Sequence, residues 1–68
     1  MKIEVYGDAG CAGCIQSKNL LKNRGIPFEE RSVQELLERM PTARQIPQIF
    51  IDDEHIGGFD ELKNRLDS

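Results

Sequence analysis

Ile3-Glu4-Val5-Tyr6, then Gly7-Asp8-Ala9-Gly10, then Cys11-Ala12-Gly13-Cys14 are the three consecutive blocks whose reading decides the fold. The first is rich in β-formers, with Lys2 and Glu4 alternating against Ile3 and Val5, and reads as a strand over residues 2–6. The second is a loop of small and polar residues. The third opens a helical pattern over residues 11–24. A Cys-x-x-Cys at a strand-to-helix junction puts its first sulfur at a helix N-terminus. There, unpaired N–H groups and the helix dipole favour a thiolate. The second sulfur, one turn on, can reach back to close a disulfide.

The chain has 68 residues and only these two cysteines. That length predicts a single domain, residues 1–68, with a thin core. A bridge between cysteines three positions apart closes almost no loop, so stability is a poor reason for the pair and chemistry a better one. The formal charge of −3 is spread over interspersed acidic and basic residues. No basic stripe points to nucleic acid and no polybasic cluster or long apolar run points to a membrane. With no signal-peptide pattern at the start, the reading is a cytoplasmic protein, in a compartment where Cys-x-x-Cys is redox-active or metal-binding.

Outward from the cysteines, Ile15, Leu20 and Leu21 are the expected core contacts of the first helix, and Lys18 and Lys22 its solvated rim. Gly25 and Pro27 stop it. Residues 26–31 read as a second strand with Pro27 at its start. Ser32 and Glu35 match a capping box, and Val33, Leu36, Leu37 and Met40 form an amphipathic stripe ended by Pro41. Gln48-Ile49-Phe50-Ile51 is an apolar strand, Asp52-Asp53-Glu54 a turn, and His55-Ile56 a returning strand. After Gly57-Gly58, Phe59, Leu62 and Leu66 mark a last helix with Asp60 and Glu61 in its first turn. Tyr6 and Phe28 are expected in the core, and His55 on an exposed strand with no catalytic role. The order β-α-β-α-β-β-α implies a parallel first pair of strands, a final hairpin, and a four-stranded mixed sheet flanked by three helices. The unbroken run Ile49-Phe50-Ile51 would be covered on both faces.

Three separated signatures make the chain resemble the glutaredoxins of the thioredoxin-like fold. They are Cys11-x-x-Cys14 after the first strand; Ile46-Pro47-Gln48-Ile49-Phe50-Ile51-Asp52, similar to the family's cis-proline segment; and His55-Ile56-Gly57-Gly58-Phe59-Asp60-Glu61-Leu62, similar to its Gly-Gly-x-Asp glutathione-binding turn. The compact length and the Gly-Gly-Phe-Asp wording resemble small phage and bacterial members. The resemblance implies a glutathione-dependent thiol–disulfide oxidoreductase. Cys11 would be the nucleophile and Cys14 the resolving thiol, with the pair near −200 to −230 mV as is typical of the family. It implies that Ile46 presents its backbone beside a cis Pro47 to a bound cysteinyl group. It implies too that Gly58, Phe59 and Asp60 hold the γ-glutamyl end of glutathione and Arg44 its glycyl carboxylate. Protein disulfides, ribonucleotide reductase among them, are the implied partners of a monomer.

The chain departs from the family pattern at four places. Ala12 stands for the usual proline, Gly13 for the usual aromatic residue, Asp8 for an upstream basic residue, and Gln45 for a threonine. Together these remove apolar contact and positive charge, and predict weaker glutathione binding or a shifted preference. Rival readings follow from the same residues. A [2Fe–2S] cluster could be shared by two copies through Cys11 and glutathione, which Ala12 leaves open. The electron source could be thioredoxin reductase, against which Gly57-Gly58-Phe59-Asp60 argues. Zinc would need four ligands, and only His55 could add a third strong one. That both cysteines are mere core residues is a weaker reading still, since a helix-start position beside small residues is usually open.

Overall fold

The computed structural model describes residues 1–67. Its elements are β1 (Ile3–Tyr6), α1 (Ala12–Asn23), β2 (Glu29–Arg31), α2 (Val33–Arg39), β3 (Gln48–Ile51), β4 (Glu54–Gly57) and α3 (Phe59–Asp67). The strands form one sheet in the order β2-β1-β3-β4. β1 pairs with β2 in parallel and with β3 in antiparallel, and β3 pairs with β4 in antiparallel. This is the thioredoxin-like arrangement expected from the sequence, and three helices cover it.

Local chemistry explains the boundaries. α1 ends in a Schellman motif: Gly25, at φ +68°, donates its N–H to the Lys22 carbonyl, and Ile26 donates to the Leu21 carbonyl. The β3–β4 hairpin turns on Asp52 and Asp53, at φ +50° and +68°, a two-residue turn that short polar side chains tolerate. α2 opens on the capping box: the Ser32 hydroxyl accepts the Glu35 N–H while the Glu35 carboxylate accepts the Ser32 N–H. β2 is shorter than the expected 26–31. Pro27 has no N–H to give, and pairing with β1 begins at Glu29.

The sheet buries both faces. Ile3, Val5, Ile49 and Ile51 pack against Leu21 of α1 and Leu62 of α3, with Phe28 partly buried at their margin. On the other face Tyr6 and Phe50 pack against Leu36 of α2, the two rings edge to face at 5.4 Å between centroids. Two expected core residues lie outside: Ile15 is 44% and Leu37 45% exposed. In α1 the inward stripe is Cys14, Ser17 and Leu21, whose smaller members let the helix start close onto the sheet, and this turns Ile15 outward. In α2, a helix of seven residues, Leu36 alone is fully buried.

Glu4 reverses the expectation from strand alternation. It is 4% exposed, on the α2 face. Its carboxylate accepts a hydrogen bond from Arg39 Nη1 at 3.0 Å and one from the Tyr6 hydroxyl at 3.3 Å, and Arg31 Nε lies 3.5 Å away. The Arg39 guanidinium also lies 3.8 Å above the Phe50 ring centre and donates to Asp53. A carboxylate is tolerated there because its charge is met from two sides.

Candidate active site

The site is assembled where three chain segments approach within van der Waals contact. The first is the start of α1. Cys11 is its N-cap, in an extended conformation, and its Sγ accepts the Cys14 N–H at 3.2 Å. That bond occupies the position a serine or aspartate cap would fill, so a helix-end amide faces the sulfur. The second segment is Ile46-Pro47, joined by a cis peptide bond. The Cys11 thiol lies 3.7 Å from the Ile46 carbonyl oxygen, and a Cβ on Gly13 would lie 3.0 Å from Pro47 Cδ. The third is the start of α3. A Cβ on Gly58 would lie 3.4 Å from the Pro47 carbonyl oxygen.

The two sulfurs differ in access. Both cysteines are free thiols, Cys11 half-buried and Cys14 buried at 1% exposure. The open helix-start position is that of Cys11, while Cys14 faces the sheet. Gly7, just past β1, makes room for it: a Cβ there would lie 2.2 Å from Cys14 Sγ. Burial, reinforced by the neighbouring Cys11, pushes the Cys14 thiol up to about 11. Behind Cys14 lies a cavity of ≈ 120 Å³ whose lining includes Asp8, Lys18 and Glu30. Lys18 donates to Glu30 at 2.9 Å and holds that carboxyl below its usual range. Cys11 is thus the more accessible of the two thiols.

A groove of ≈ 540 Å³ runs from the Ile46-Pro47 wall to the start of α3, and Gly58, Phe59 and Asp60 line its far end. Gly58 caps α3, accepting the Leu62 N–H at 3.0 Å. The first-turn amides of the helix point into this end, as helix geometry requires. The site residues read from the sequence leave out five of the lining residues, Gln16, Gln45, Gln48, Gly57 and Glu61. Glu61 accepts the Gly58 N–H at 2.6 Å, and Gln16 and Gln48 complete the polar wall. The signal for Glu61 was present, since it stands at the third helical position after the cap, where a carboxylate reaches back. Gln48 donates to the Gln45 carbonyl at 3.0 Å and meets His55 Nε2 at 2.7 Å.

The structure thus brings Cys11, Cys14, Ile46, Pro47, Gly58, Phe59 and Asp60 to one side of the molecule. Arg44 is set apart. It lines a separate depression with Val33, Leu36 and Leu37, and the groove itself has carboxylates at Asp60 and Glu61 but no lysine or arginine among its lining residues. Among the described residues, no three histidine, cysteine or acidic side chains gather as metal ligands, and no helix is long and apolar enough to cross a membrane.

Comparison with known proteins agrees with this geometry. The chain is 38% identical to a probable glutaredoxin of Synechocystis, over 90% of this chain and 77% of that protein. Its structure is similar to glutaredoxin 1 of Francisella tularensis, solved in complex with cacodylate. The TM-score is 0.83 at 34% identity, covering 97% of this chain and 92% of the other. It is also similar to the glutaredoxin-like protein NrdH-redoxin of Escherichia coli, which has a thioredoxin-like activity profile. There the TM-score is 0.76 at 32% identity, covering 97% and 95%. Residues 3–56 match the family profile described as Glutaredoxin. A cysteine-capped helix, a facing cis-proline and a sequence match over most of the chain converge, and the chain belongs to the glutaredoxin family of thiol–disulfide oxidoreductases.

Proposed function

We propose that the protein reduces protein disulfides and glutathione mixed disulfides with glutathione as its electron source. The observation that carries this reading is the groove from Cys11 and Ile46 to the start of α3, which matches a γ-glutamyl-cysteinyl chain in reach and chemistry. The Cys11 thiolate attacks one sulfur of the substrate disulfide, a Cys11–S bond forms, and the other sulfur leaves as a thiolate that takes a proton from water. Cys14 then attacks the mixed disulfide at the Cys11 sulfur, releasing the bound thiol and leaving a Cys11–Cys14 disulfide, which two glutathiones, leaving as glutathione disulfide, return to the dithiol. Where the group bound to Cys11 is glutathione, one further glutathione can instead attack that glutathione's sulfur, leaving with it as glutathione disulfide and freeing the Cys11 thiolate.

In the bound state the Ile46 backbone pairs with that of the cysteinyl group. The γ-glutamyl carboxylate sits on the first amides of α3, and its ammonium on Asp60. Such a cycle needs a reduced glutathione pool, which the cytoplasm supplies. A disulfide in ribonucleotide reductase is a chemically suitable substrate.

The test is to assay reduction of one glutathionylated peptide with two separate electron sources, glutathione with glutathione reductase and thioredoxin reductase, each driven by NADPH. Turnover with glutathione at least tenfold faster is expected. Turnover with thioredoxin reductase alone would make the protein functionally closer to a thioredoxin. Cys11 is the accessible one of the two cysteines, so a [2Fe–2S] cluster would have to join two copies through Cys11 and glutathione. A brown dimer on anaerobic purification is the result that would favour it.

A further inference from the structure

A second depression of ≈ 280 Å³ lies between α2 and the 40–46 segment, lined mainly by Val33, Leu36, Leu37, Ala43, Arg44 and Ile46. Two features of it are unused by the glutathione groove, and a third joins it to the site. Leu37 is 45% exposed beside the fully buried Leu36, so the depression presents an apolar wall to water. Arg44, at its rim, is the arginine without an acidic partner among the described residues. Arg24 pairs with Asp67, Arg31 with Glu29, Arg39 with Glu4 and Arg65 with Glu54. Ile46 lines both the depression and the groove, and its carbonyl lies 3.7 Å from the Cys11 sulfur.

We propose that this depression docks the polypeptide of a protein disulfide substrate, taking an apolar side chain against Leu37 and a carboxylate on Arg44. The proposal rests on Cys11 as the attacking thiol. The groove leads from Cys11 toward α3, where glutathione is placed. The depression leads the other way, toward α2. Arg44 is two residues from Ile46, about 7 Å of extended backbone, so a substrate residue two or three positions from the attacked cysteine reaches it. An apolar pocket beside an uncompensated guanidinium is complementary to an apolar residue flanked by Asp or Glu. It offers nothing to the small thiol released in the same exchange. One active sulfur is thereby served by two surfaces, one for the reductant and one for the substrate protein.

The experiment uses the reduced full chain in single turnover, with no other thiol present, and follows release of peptide thiol from symmetrical peptide disulfides. One peptide carries Leu and Glu within three residues of its cysteine, and the other carries Ser and Lys there. The Leu/Glu disulfide is expected to react about tenfold faster, which corresponds to about 1.4 kcal/mol. Leu37→Ser should lower its rate several-fold while leaving the rate with hydroxyethyl disulfide, a small uncharged substrate, within twofold. Arg44→Glu should reverse the charge preference. Equal rates for the two peptides in the unmodified protein, or an unchanged preference in Arg44→Glu, would overturn the proposal. So would an equal loss on hydroxyethyl disulfide in Leu37→Ser. Cys11→Ser separates the two levels: peptide-thiol release that survives it sinks the exchange reading itself, whatever the peptide preference.

Discussion

Masking Cys11 as a mixed disulfide isolates the second chemical step and tests the burial of Cys14. In the dithiol protein Cys14 stands at about 11, raised first by burial and then by the hydrogen bond and charge of Cys11. At pH 7 that leaves about 10⁻⁴ of Cys14 as thiolate, against about 3 × 10⁻² for an ordinary cysteine near 8.5. Masking Cys11 removes both of its contributions. Burial behind Gly7 remains, since a side chain 1% exposed is not opened by chemistry on its neighbour. The Cys14 thiol therefore drops from about 11 yet stays above the ordinary value. The rate at which the masked protein releases glutathione should rise tenfold per pH unit from pH 6 to about pH 8 and go on rising past pH 8.5. Stopped-flow mixing of the preformed Cys11–glutathione adduct from low pH into buffers from pH 6 to pH 10 reads the rate. Cys14→Ser gives the baseline. A rate that levels off at or below about pH 8.5 would refute the reasoning, because it would mean a Cys14 thiol at or below the ordinary value.

The remaining predictions concern the groove and the packing around it. Asp60→Asn should raise KM for a glutathionylated peptide about tenfold, since it removes the one carboxylate assigned to the glutathione ammonium; steady-state kinetics measure this. Because the groove lining carries Asp60 and Glu61 and no cation, raising salt should lower KM for glutathione by screening like charges; kinetics at low and high salt check the sign. Gly7→Ala should cost about 1–3 kcal/mol in a urea melt and slow the Cys14-dependent step, because its Cβ would lie 2.2 Å from the Cys14 sulfur. Arg39→Met should cost about 2–4 kcal/mol at pH 7, since it strips the buried Glu4 of its closest cation while leaving Arg31 nearby. Burial raises the Glu4 carboxyl and Arg39 and Lys2 lower it, leaving it below the usual range. Its contribution to stability is then full above about pH 4.3 and is lost as pH falls through its own lower value. The gap between the unmodified protein and Arg39→Met should accordingly shrink in urea melts at acid pH.

Features written in local sequence were legible, and features set by distant partners were not. The Schellman end at Gly25, the capping box at Ser32 and Glu35, and the turn at Asp52-Asp53 are each decided within six residues, and they stand where they were read. The pairing of β1 with β2 and of β3 with β4 followed from the local signals, because a crossover helix demands a parallel pair and a two-residue turn an antiparallel one; the β1–β3 junction that joins the two halves did not. The burial of Glu4 depends on Arg39, 35 residues away, and alternation along a single strand carries no trace of it. The burial of Cys14 was not legible for a similar reason. Its neighbours in sequence are small, but its space is set by Gly7 across the sheet edge and by the stripe it shares with Ser17 and Leu21. Arg44 is adjacent in sequence to the proline wall yet lines the α2 side. The direction a loop side chain takes is not encoded in spacing.

Gly13 shows how a departure from the family pattern acts through geometry. As a sequence feature it reads as a lost aromatic contact. In the fold it is a point of close approach, for a Cβ there would stand 3.0 Å from Pro47 Cδ, tight enough that α1 or the proline segment would have to yield. The glycine lets the cap of α1 settle against Pro47 and brings the Cys11 thiol to 3.7 Å from the Ile46 carbonyl. What is given up is apolar surface over the groove, whose nearer wall is made instead by Gln16, Gln45 and Gln48. With no cation in the groove and Phe59 as its one aromatic lining residue, the proposed glutathione would be held by backbone at Ile46, by the first amides of α3 and by Asp60. Those contacts recognise the two ends of a γ-glutamyl-cysteinyl chain and little else. Discrimination among protein disulfides then falls to surfaces outside the groove, and the Leu37–Arg44 depression is the one that shares Ile46 with it.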